Sequence, residues 1–423
     1  MRATGGWMRG GWMRGGSVLA LAAASSLALA ACGGSSPAVT PGQQSAATAL
    51  ASPSLATSLA GTDGTSWAVV KMGGSAAAVD NFWELFARPA GGSAWNLVTP
   101  AGVASNGGMI MTQAAAGTLV TGFRPSQKLT FSPLAASADA GVQWSQNTLL
   151  SPGLANVPGA LAGNPADGLL ALTDTGAIES GTGLGATWTR LTTLQALANS
   201  PAGQACGLTE LTAVAWTPAG TAMVAGNCRT PGVAGIFTLT GGSWRASGPA
   251  LAGATARTRI DVLGLAAADG RTTAILAVGT GTASSVMAAW SAGAGAQWAL
   301  SPALHTPTLG AGAQPSVSFL ADGSAGLVLT AGEPRGASQA AIIGYRATRW
   351  QTLPPLAADR SGGSAEASAG QLATLAVSAD GAPQALVVSR GTLTVWQLVS
   401  AAGSGGWTLV QTVRVPIPYG SSG

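Results

Sequence analysis

Residues 316–352, SVSFLADGSAGLVLTAGEPRGASQAAIIGYRATRWQT, contain the pattern that decides the fold. Val317 and Phe319 alternate with serine before an Asp-Gly pair at 322–323. Short apolar runs follow at 326–330 and 341–345, and Trp350 leads into a fourth segment. Alternation and short apolar runs separated by glycine-containing turns predict four short β-strands joined by tight turns.

The same pattern occurs seven times between residue 55 and the C-terminus. A turn glycine recurs every 50 to 58 residues, and a tryptophan follows it after 20 to 31 residues. Four strands repeated seven times predict an all-β fold, namely a seven-bladed β-propeller of four-stranded antiparallel blades over 55–416. In such a fold each blade has two apolar faces, and only the neighbouring blades can cover them. A solenoid of two-stranded units is the alternative, and four strands per period argue against it. The glycines are Gly64, Gly117, Gly168, Gly220, Gly270, Gly323 and Gly381, and the tryptophans are Trp95, Trp144, Trp188, Trp244, Trp298, Trp350 and Trp407.

One tryptophan repeat resembles a named motif. Ser137-Ala-Asp139-Ala-Gly141-Val-Gln-Trp144 resembles the Asp-box pattern S-x-D-x-G-x-x-W of the bacterial neuraminidase repeat (BNR) propellers, which include sialidases, sortilin-type receptors, xyloglucanases and photosystem assembly factors. The resemblance implies that serine and aspartate hold the turn between the third and fourth strands, and that tryptophan fills the space between blades. A Trp144→Ala substitution is then expected to cost about 3 to 5 kcal/mol.

The N-terminal segment has the features of an export signal. Residues 1–16 carry Arg2, Arg9 and Arg14, and residues 17–31 form an uncharged run ending in small residues. Leu29-Ala30-Ala31-Cys32 is similar to the bacterial lipobox, so we predict a lipoprotein signal peptide over 1–31, lipidation of Cys32, a flexible tether over 32–54 and a C-terminal tail over 417–423. The expected location is the extracytoplasmic face of the cell membrane, with the lipid as anchor. A plain secreted protein is the alternative.

Charge and cysteine content limit the possible partners. The chain has 423 residues, 8% of them charged, and a net charge of +4. Three of the 19 basic residues lie in the signal peptide, so the remaining body is nearly neutral and nucleic acid is not an expected partner. Cys206 and Cys228 are expected to pair in an oxidising compartment. Two cysteines and the single histidine, His305, do not make a zinc site, so neither a metal nor a cofactor is predicted.

The resemblance places the ligand face opposite the Asp boxes, on the loops between blades and between the second and third strands. The predicted candidate residues there are Glu210, Arg229, Arg257, Arg259, Glu333 and Arg335.

No catalytic residue is predicted. Sialidase chemistry needs three arginines and a tyrosine nucleophile, whereas Tyr345 lies in a predicted third strand and Tyr419 in the tail. We therefore hypothesise a non-catalytic binding or scaffold module for an unknown envelope protein or glycan. The alternative is a glycan-cleaving enzyme of the sialidase or xyloglucanase type. Two buried carboxylates in a pocket would favour the enzyme, and a neutral pocket lined by alanine and glycine would favour the module.

Overall fold

The computed structural model describes part of the chain. It covers 57–415 except 62, 73–81, 101–107, 115–116, 124–133, 146–157, 165, 167, 184–187, 269, 281–282, 294–295, 307–308, 310–314, 321–323, 330–338, 357–370, 390 and 400–405. The predicted signal peptide, Cys32, the tether and the C-terminal tail lie outside the described residues, as do Glu333 and Arg335.

The described strands fall into consecutive antiparallel groups, which we number 1 to 7. Group 1 comprises β1 (Thr57–Ala60), β2 (Ser66–Lys71), β3 (Trp83–Arg88) and β4 (Asn96–Leu97); group 2, β5 (Met109–Gln113), β6 (Leu119–Phe123) and β7 (Leu134–Ser137); group 3, β8 (Pro158–Gly163), β9 (Gly168–Thr173), β10 (Ala177–Thr182) and β11 (Thr189–Thr193); group 4, β12 (Leu208–Trp216), β13 (Ala222–Cys228), β14 (Gly235–Thr240) and β15 (Ser243–Ala246). Group 5 comprises β16 (Thr258–Ala268), β17 (Arg271–Thr280), β18 (Ser284–Ser291), β19 (Ala299–Leu300) and β20 (Leu304–His305); group 6, β21 (Ser316–Phe319), β22 (Ala325–Leu329), β23 (Gln339–Ile343) and β24 (Gln351–Thr352); group 7, β25 (Gln371–Val377), β26 (Pro383–Ser389), β27 (Thr392–Val399) and β28 (Gly406–Arg414).

The first strands of groups 1 and 6 pair directly. β1 runs parallel to β21, with Ser58 opposite Ser318 and Leu59 opposite Phe319, so these two groups form one eight-stranded sheet. The first strand of group 7 lies beside this pair, since the Ser58 and Ser318 hydroxyls both donate to the Leu375 carbonyl. Ser316 adds a hydroxyl contact of 3.0 Å to Thr374. Groups 1 and 6 are thus neighbours of group 7 and of each other.

Two short helices interrupt a repeat for which the sequence pattern predicts strands throughout. Between β11 and β12 lie α1 (Leu194–Ala198) and α2 (Pro201–Cys206). The Thr193 and Ser200 hydroxyls cap their N-termini. The all-β prediction therefore holds for the rest of the described chain. The capping residues Thr193 and Ser200 were a local sequence signal for these two helices. No helix in the described part is long or apolar enough to cross a membrane.

The predicted turn glycines connect the first and second strands. Gly220, for example, has φ 75° and donates its N–H to the Thr217 carbonyl at 2.8 Å. A side chain would be strained in this conformation, so glycine is favoured there. Gly168 differs because it begins β9, and the Asn164 side chain closes that turn by accepting its N–H at 2.9 Å. Gly323 lies outside the described residues.

Buried apolar side chains join each group to the next. Separate clusters connect groups 1 and 2, 2 and 3, 3 and 4, 4 and 5, 5 and 6, and 6 and 7. A further cluster connects group 7 to group 1, with Phe86 and Trp95 against Leu386 and Val395. The core is thus divided among the interfaces between sheets, which is why inner strands such as β9 and β13 are buried on both faces.

All seven repeat tryptophans pack between neighbouring groups, as the sequence predicts. Each lies in the cluster that joins its own group to the preceding one. The indole N–H of Trp350 donates to the Pro302 carbonyl at 2.9 Å, and that of Trp407 donates to the Pro354 carbonyl at 2.7 Å. Each acceptor carbonyl lies just after the fourth strand of the preceding group. The same hydrogen bond therefore joins equivalent positions in these pairs of neighbouring groups.

The Asp-box residues hold the turn after β7. Gly141 donates its N–H to the Ser137 hydroxyl at 2.9 Å, and Gln143 donates its N–H to the Asp139 carboxylate at 2.9 Å. The Gln143 N–H, together with the Ser137 hydroxyl, lowers the pKa of the Asp139 carboxyl. Trp144 donates to the Val98 carbonyl at 2.9 Å but is only half-buried. Its truncation should therefore cost less than the 3 to 5 kcal/mol expected for a fully buried tryptophan.

Candidate functional site

A disulfide joins α2 to the end of β13. Cys206 is bonded to Cys228, their Cα atoms are 5.3 Å apart, and both residues are buried. Gly207 ends α2 with φ 66°, and the Arg229 N–H donates to its carbonyl at 3.0 Å. The predicted pairing is confirmed, and it fixes the start of β12 beside the loop that follows β13.

A polar cluster lies next to this disulfide, at the boundary of groups 4 and 5. The buried Asn227 amide donates to a Glu210 carboxylate oxygen at 3.2 Å. The Asn227 amide oxygen accepts the Val262 N–H at 3.3 Å. One asparagine therefore connects a carboxylate of group 4 to the backbone of group 5, beside Asp261, which is only 1% exposed. We call Glu210, Asn227 and Asp261 the Asn227 cluster.

Four of the predicted ligand-face residues lie around the Asn227 cluster. Glu210 and Arg229 are exposed and belong to group 4, and Arg257 is exposed just before β16. Arg259 is half-buried within β16. The loops meet where the Gly232 N–H donates to the Thr258 carbonyl at 3.1 Å. These four residues lie at one end of groups 4 and 5, and their role as a ligand face stays a prediction.

A central cavity of about 320 Å³ lies among the first strands of groups 1 to 6. Its lining comes from β1, β5, β8, β12, β16 and β21. β25 does not contribute, because β1 and β21 pair directly in front of it. The described lining contains no Asp, Glu, Lys, Arg or His; it is rich in alanine and glycine, with hydroxyl and amide groups from residues such as Thr112, Asn164 and Thr212.

The cavity runs along the first strands and reaches their carboxyl-terminal ends. Its lining includes Trp216 and Ala267, close to the turns that lead into the second strands. Trp216 is half-buried and donates its indole N–H to the Ala162 carbonyl at 3.2 Å. The sequence analysis searched for charged residues on loops and therefore missed this site. The cavity lining is neutral, and it comes from strands whose apolar residues are typical of a buried core.

A second cavity of about 440 Å³ lies between groups 1 and 7. Its wall includes Arg88, which is 2% exposed, together with Asp380 and Gln384. Burial lowers the pKa of Arg88, and the charge of Asp380 opposes that effect. The Arg88 guanidinium donates to Ser66 and to the Val377 carbonyl, so its contacts connect two groups of strands. No cluster of three His, Cys, Asp or Glu able to hold a metal occurs in the described ranges.

We expect loss of the disulfide to destabilise the candidate face without unfolding the molecule. The Cys206→Ser, Cys228→Ser double variant should lose about 3 kcal/mol, because a cross-link over 22 residues restricts the unfolded chain. The large core shared among the sheets should still fold. A thermal melt of both proteins, with mass spectrometry of unreduced peptides, tests this. Free thiols in the native protein, or an unchanged melting temperature in the double variant, would contradict the expectation.

Among known proteins, similarity is found only to solved structures. No protein-family model matches the sequence, and no curated protein matches it. A GH74 xyloglucanase from Xanthomonas campestris is similar in structure, with a TM-score of 0.51, 15% identity and coverage of 85% of this chain and 55% of that one. This chain thus spans about half the length of the xyloglucanase.

Two further solved structures are similar at lower scores. YCF48 bound to D1 peptide has a TM-score of 0.42 and 14% identity, and covers 83% of this chain and 96% of its own. The six-bladed fucose-recognising Aleuria aurantia lectin has a TM-score of 0.40 and 14% identity, and covers 74% and 96%. At 15% identity the likeness to the xyloglucanase bears on the fold alone, and it is consistent with a β-propeller.

Proposed function

We propose that this chain is a lipid-anchored, extracytoplasmic β-propeller of the BNR type that acts as a non-catalytic binding or scaffold module at the cell envelope. Its proposed partners are the membrane, through the lipid, and an envelope protein or glycan. The neutral lining of the central cavity is the observation that carries the non-catalytic part of this proposal.

The seven groups of strands are proposed to be the seven blades of a closed ring. The support comes from the buried clusters, which follow the chain from group 1 to group 7 and then connect group 7 to group 1. The parallel pairing of β1 with β21 makes the ring irregular, because blade 7 lies outside the inner circle formed by the other six first strands.

A neutral cavity favours binding over hydrolysis. Glycoside hydrolysis requires a pair of carboxyl groups, or a comparably strong nucleophile and acid, around the scissile bond. The described cavity wall offers hydroxyls, amides and one indole, which can bind and orient a neutral or weakly polar group. These groups cannot serve as general acid and base near neutral pH.

Site-specific photo-cross-linking tests the binding role of the cavity. A benzoylphenylalanine at Ala267, which lines the cavity and is exposed, should give a discrete adduct in cells that express the full chain. The same group at Ala246, an exposed residue on the outer strand β15, serves as the matched control. Equal labelling from both positions, or none from Ala267, would count against a ligand in the cavity.

Lipidation of Cys32 has a separate test. A Cys32→Ala variant should lose palmitate labelling and membrane retention, because the lipobox cysteine is the proposed acceptor of the lipid. Labelling with a palmitate analogue, followed by membrane fractionation, measures both effects. Unchanged retention of the variant would refute the anchor.

The Asn227 cluster is the observation that favours the alternative, a glycan-cleaving enzyme. Asn227 bonds to the Glu210 carboxylate of group 4 and to the backbone N–H of Val262, the residue after the buried Asp261 in group 5. Incubation of the full chain with xyloglucan and with sialyllactose, followed by measurement of new reducing ends and free sialic acid, distinguishes the two functions. The binding module should release neither product. Turnover that disappears in Glu210→Gln would establish the enzyme instead.

A further inference from the structure

The second cavity, between groups 1 and 7, has both signs of charge and several amide groups in its wall. The polar side chains of the wall are Arg88 and Ser93 from group 1, with Asp380, Gln384, Gln397 and Gln411 from group 7. The described lining shares no residue with that of the central cavity. The site is therefore a separate one and does not depend on the proposed function.

Arg88 gives the cavity a positive charge in a fixed position. The side chain is 2% exposed, and its guanidinium donates to neutral groups, namely the Ser66 hydroxyl and the Gly92 and Val377 carbonyls. Its Nε–H is buried and has no hydrogen-bond partner in the described structure. Neutral acceptors hold a guanidinium in place without cancelling its charge. The charge that acts on Arg88 is that of Asp380, across the cavity wall.

Asp380 supplies the opposite charge from the group 7 side. It is exposed in the turn between β25 and β26, and the Ser378 hydroxyl donates to its carboxylate. This bond, together with backbone N–H groups of the turn, holds the pKa of the Asp380 carboxyl below its usual value, so the group is an anion at neutral pH. Within the described part of the chain, Asp380 and Arg88 form no direct ion pair. The two charges line one cavity without contacting each other.

Hydrogen bonds orient the amides of the same wall. The indole N–H of Trp95 donates to the Gln384 oxygen at 3.0 Å, and the Gln384 NH2 group donates to the Gln397 oxygen at 3.3 Å. The Gln397 oxygen is thus used, and its NH2 group bonds to no other described residue. Gln411 is held in a similar way, because its oxygen and nitrogen both bond to the Trp95 backbone at 2.7 Å. The amide that remains available therefore offers donors.

This arrangement suits a small ligand that carries both charges. The N–H groups of Arg88 and Gln397 match the oxygens of a carboxylate. The Asp380 carboxylate accepts hydrogen bonds from an ammonium group. A purely anionic ligand would be repelled by Asp380, and a purely cationic one would be repelled by Arg88. A zwitterion satisfies both groups and leaves the net charge of the cavity unchanged.

We propose that the second cavity binds a small zwitterion of the α-amino acid class, with its carboxylate towards Arg88 and Gln397 and its ammonium group towards Asp380. An amino acid carries both groups on one carbon atom, so a single cavity of about 440 Å³ can hold the pair. The apolar part of the lining, which can contact the side chain of the ligand, comprises Ala94, Ala379 and Val410.

Saturation-transfer NMR of the full chain with each of the common L-amino acids tests the site, and calorimetric titration then measures the affinity of the tightest binder. Its N-acetyl derivative lacks the ammonium charge, and its amide lacks the carboxylate, so each should bind about tenfold more weakly or worse. This comparison uses the wild-type chain and depends on no variant. No binding of any amino acid, or equal binding of either derivative and the parent, would overturn the proposal.

A pair of aspartate variants then locates the binding. Asp380→Asn removes the charge that would contact the ammonium group, so the affinity should fall about tenfold. Asp63→Asn is the matched control, because Asp63 is exposed in the equivalent turn of group 1, between β1 and β2, and lies outside the described cavity lining. The control should change the affinity less than twofold. Equal loss in both variants would refute the site.

Gln397→Glu tests the carboxylate side of the ligand. Glutamate keeps an oxygen for the Gln384 NH2 group, but it places a negative charge where the ligand carboxylate is expected, so binding should be lost. Because Gln397 is half-buried, a thermal melt accompanies the titration. Unchanged affinity in the folded variant would refute the proposed site. If the variant does not fold, the two derivatives and Asp380→Asn still decide whether the proposal stands.

Discussion

Trp95→Ala is expected to destabilise this protein by about 3 to 5 kcal/mol, because it removes the largest side chain from the contact between group 7 and group 1. Trp95 is 1% exposed, and its indole N–H donates to the buried Gln384 amide at 3.0 Å. Its backbone N–H and carbonyl both bond to the Gln411 amide at 2.7 Å. Truncation leaves a cavity and a buried acceptor without its donor at the same interface.

Two tryptophan variants serve as controls for that expectation. Trp144→Ala removes the same side chain from a half-buried site between groups 1 and 2, so its cost should be clearly smaller. Trp95→Phe keeps one aromatic ring but loses the N–H and the second ring, so an intermediate cost of about 1 to 3 kcal/mol is expected. Urea midpoints of the three variants test the order. A Trp95→Ala midpoint equal to that of Trp144→Ala would mean that the contact between groups 7 and 1 contributes little to stability.

Arg88→Ala is expected to cost about 3 kcal/mol or more, through lost hydrogen bonds at the same interface. The guanidinium donates to the Ser66 hydroxyl at 2.7 Å and to the Gly92 carbonyl at 3.0 Å in group 1. It also donates to the Val377 carbonyl of group 7 at 2.9 Å. Alanine would leave all three acceptors without this donor, and the Ser66 hydroxyl among them is buried.

Volume and charge at Arg88 can be tested separately. Arg88→Met fills much of the space but supplies no donor, so it should recover only the cavity part of the loss. Arg88→Lys restores the charge without the planar fork and should recover part of the hydrogen bonding. Thermal melts of the three variants measure these differences. A stability of Arg88→Met equal to that of the wild-type chain would show that the buried charge offers no net gain, because its desolvation cancels its bonds.

Local features of the chain were sufficient to predict the strands and the role of the tryptophans. Alternating apolar residues and turn glycines at a regular period predicted strands near 316–319, 326–330 and 341–345, and the observed strands differ by two residues or fewer. Tyr345 was the exception, because it lies in the turn after β23 instead of within the strand. Period and turn chemistry act over a few residues, so sequence alone reports them well.

The disulfide and the helices show how far a local signal extends. Because Cys32 was expected to carry the lipid, Cys206 and Cys228 were the two cysteines left to pair, so their disulfide could be predicted. The helix over Pro201–Cys206 was missed, although Ser200 and Pro201 are typical of a helix start. The strand pattern of the flanking segments was stronger than this helix-start signal, so strands were predicted throughout the repeat.

Tertiary structure alone decided where the central cavity lies and which sheets meet. Thr112, Asn164 and Thr212 are ordinary strand residues in the sequence, and they become one cavity wall only because six first strands converge. The parallel pairing of β1 with β21 joins residues 260 apart and excludes β25 from that wall. The contact between Arg271 and the Tyr345 ring likewise requires group 5 to lie against group 6. The amino-acid pattern determined the strands and their apolar faces, because alternation and turn chemistry are local. Which strands meet at the centre depends on how all the sheets pack at once, and no short segment contains that information.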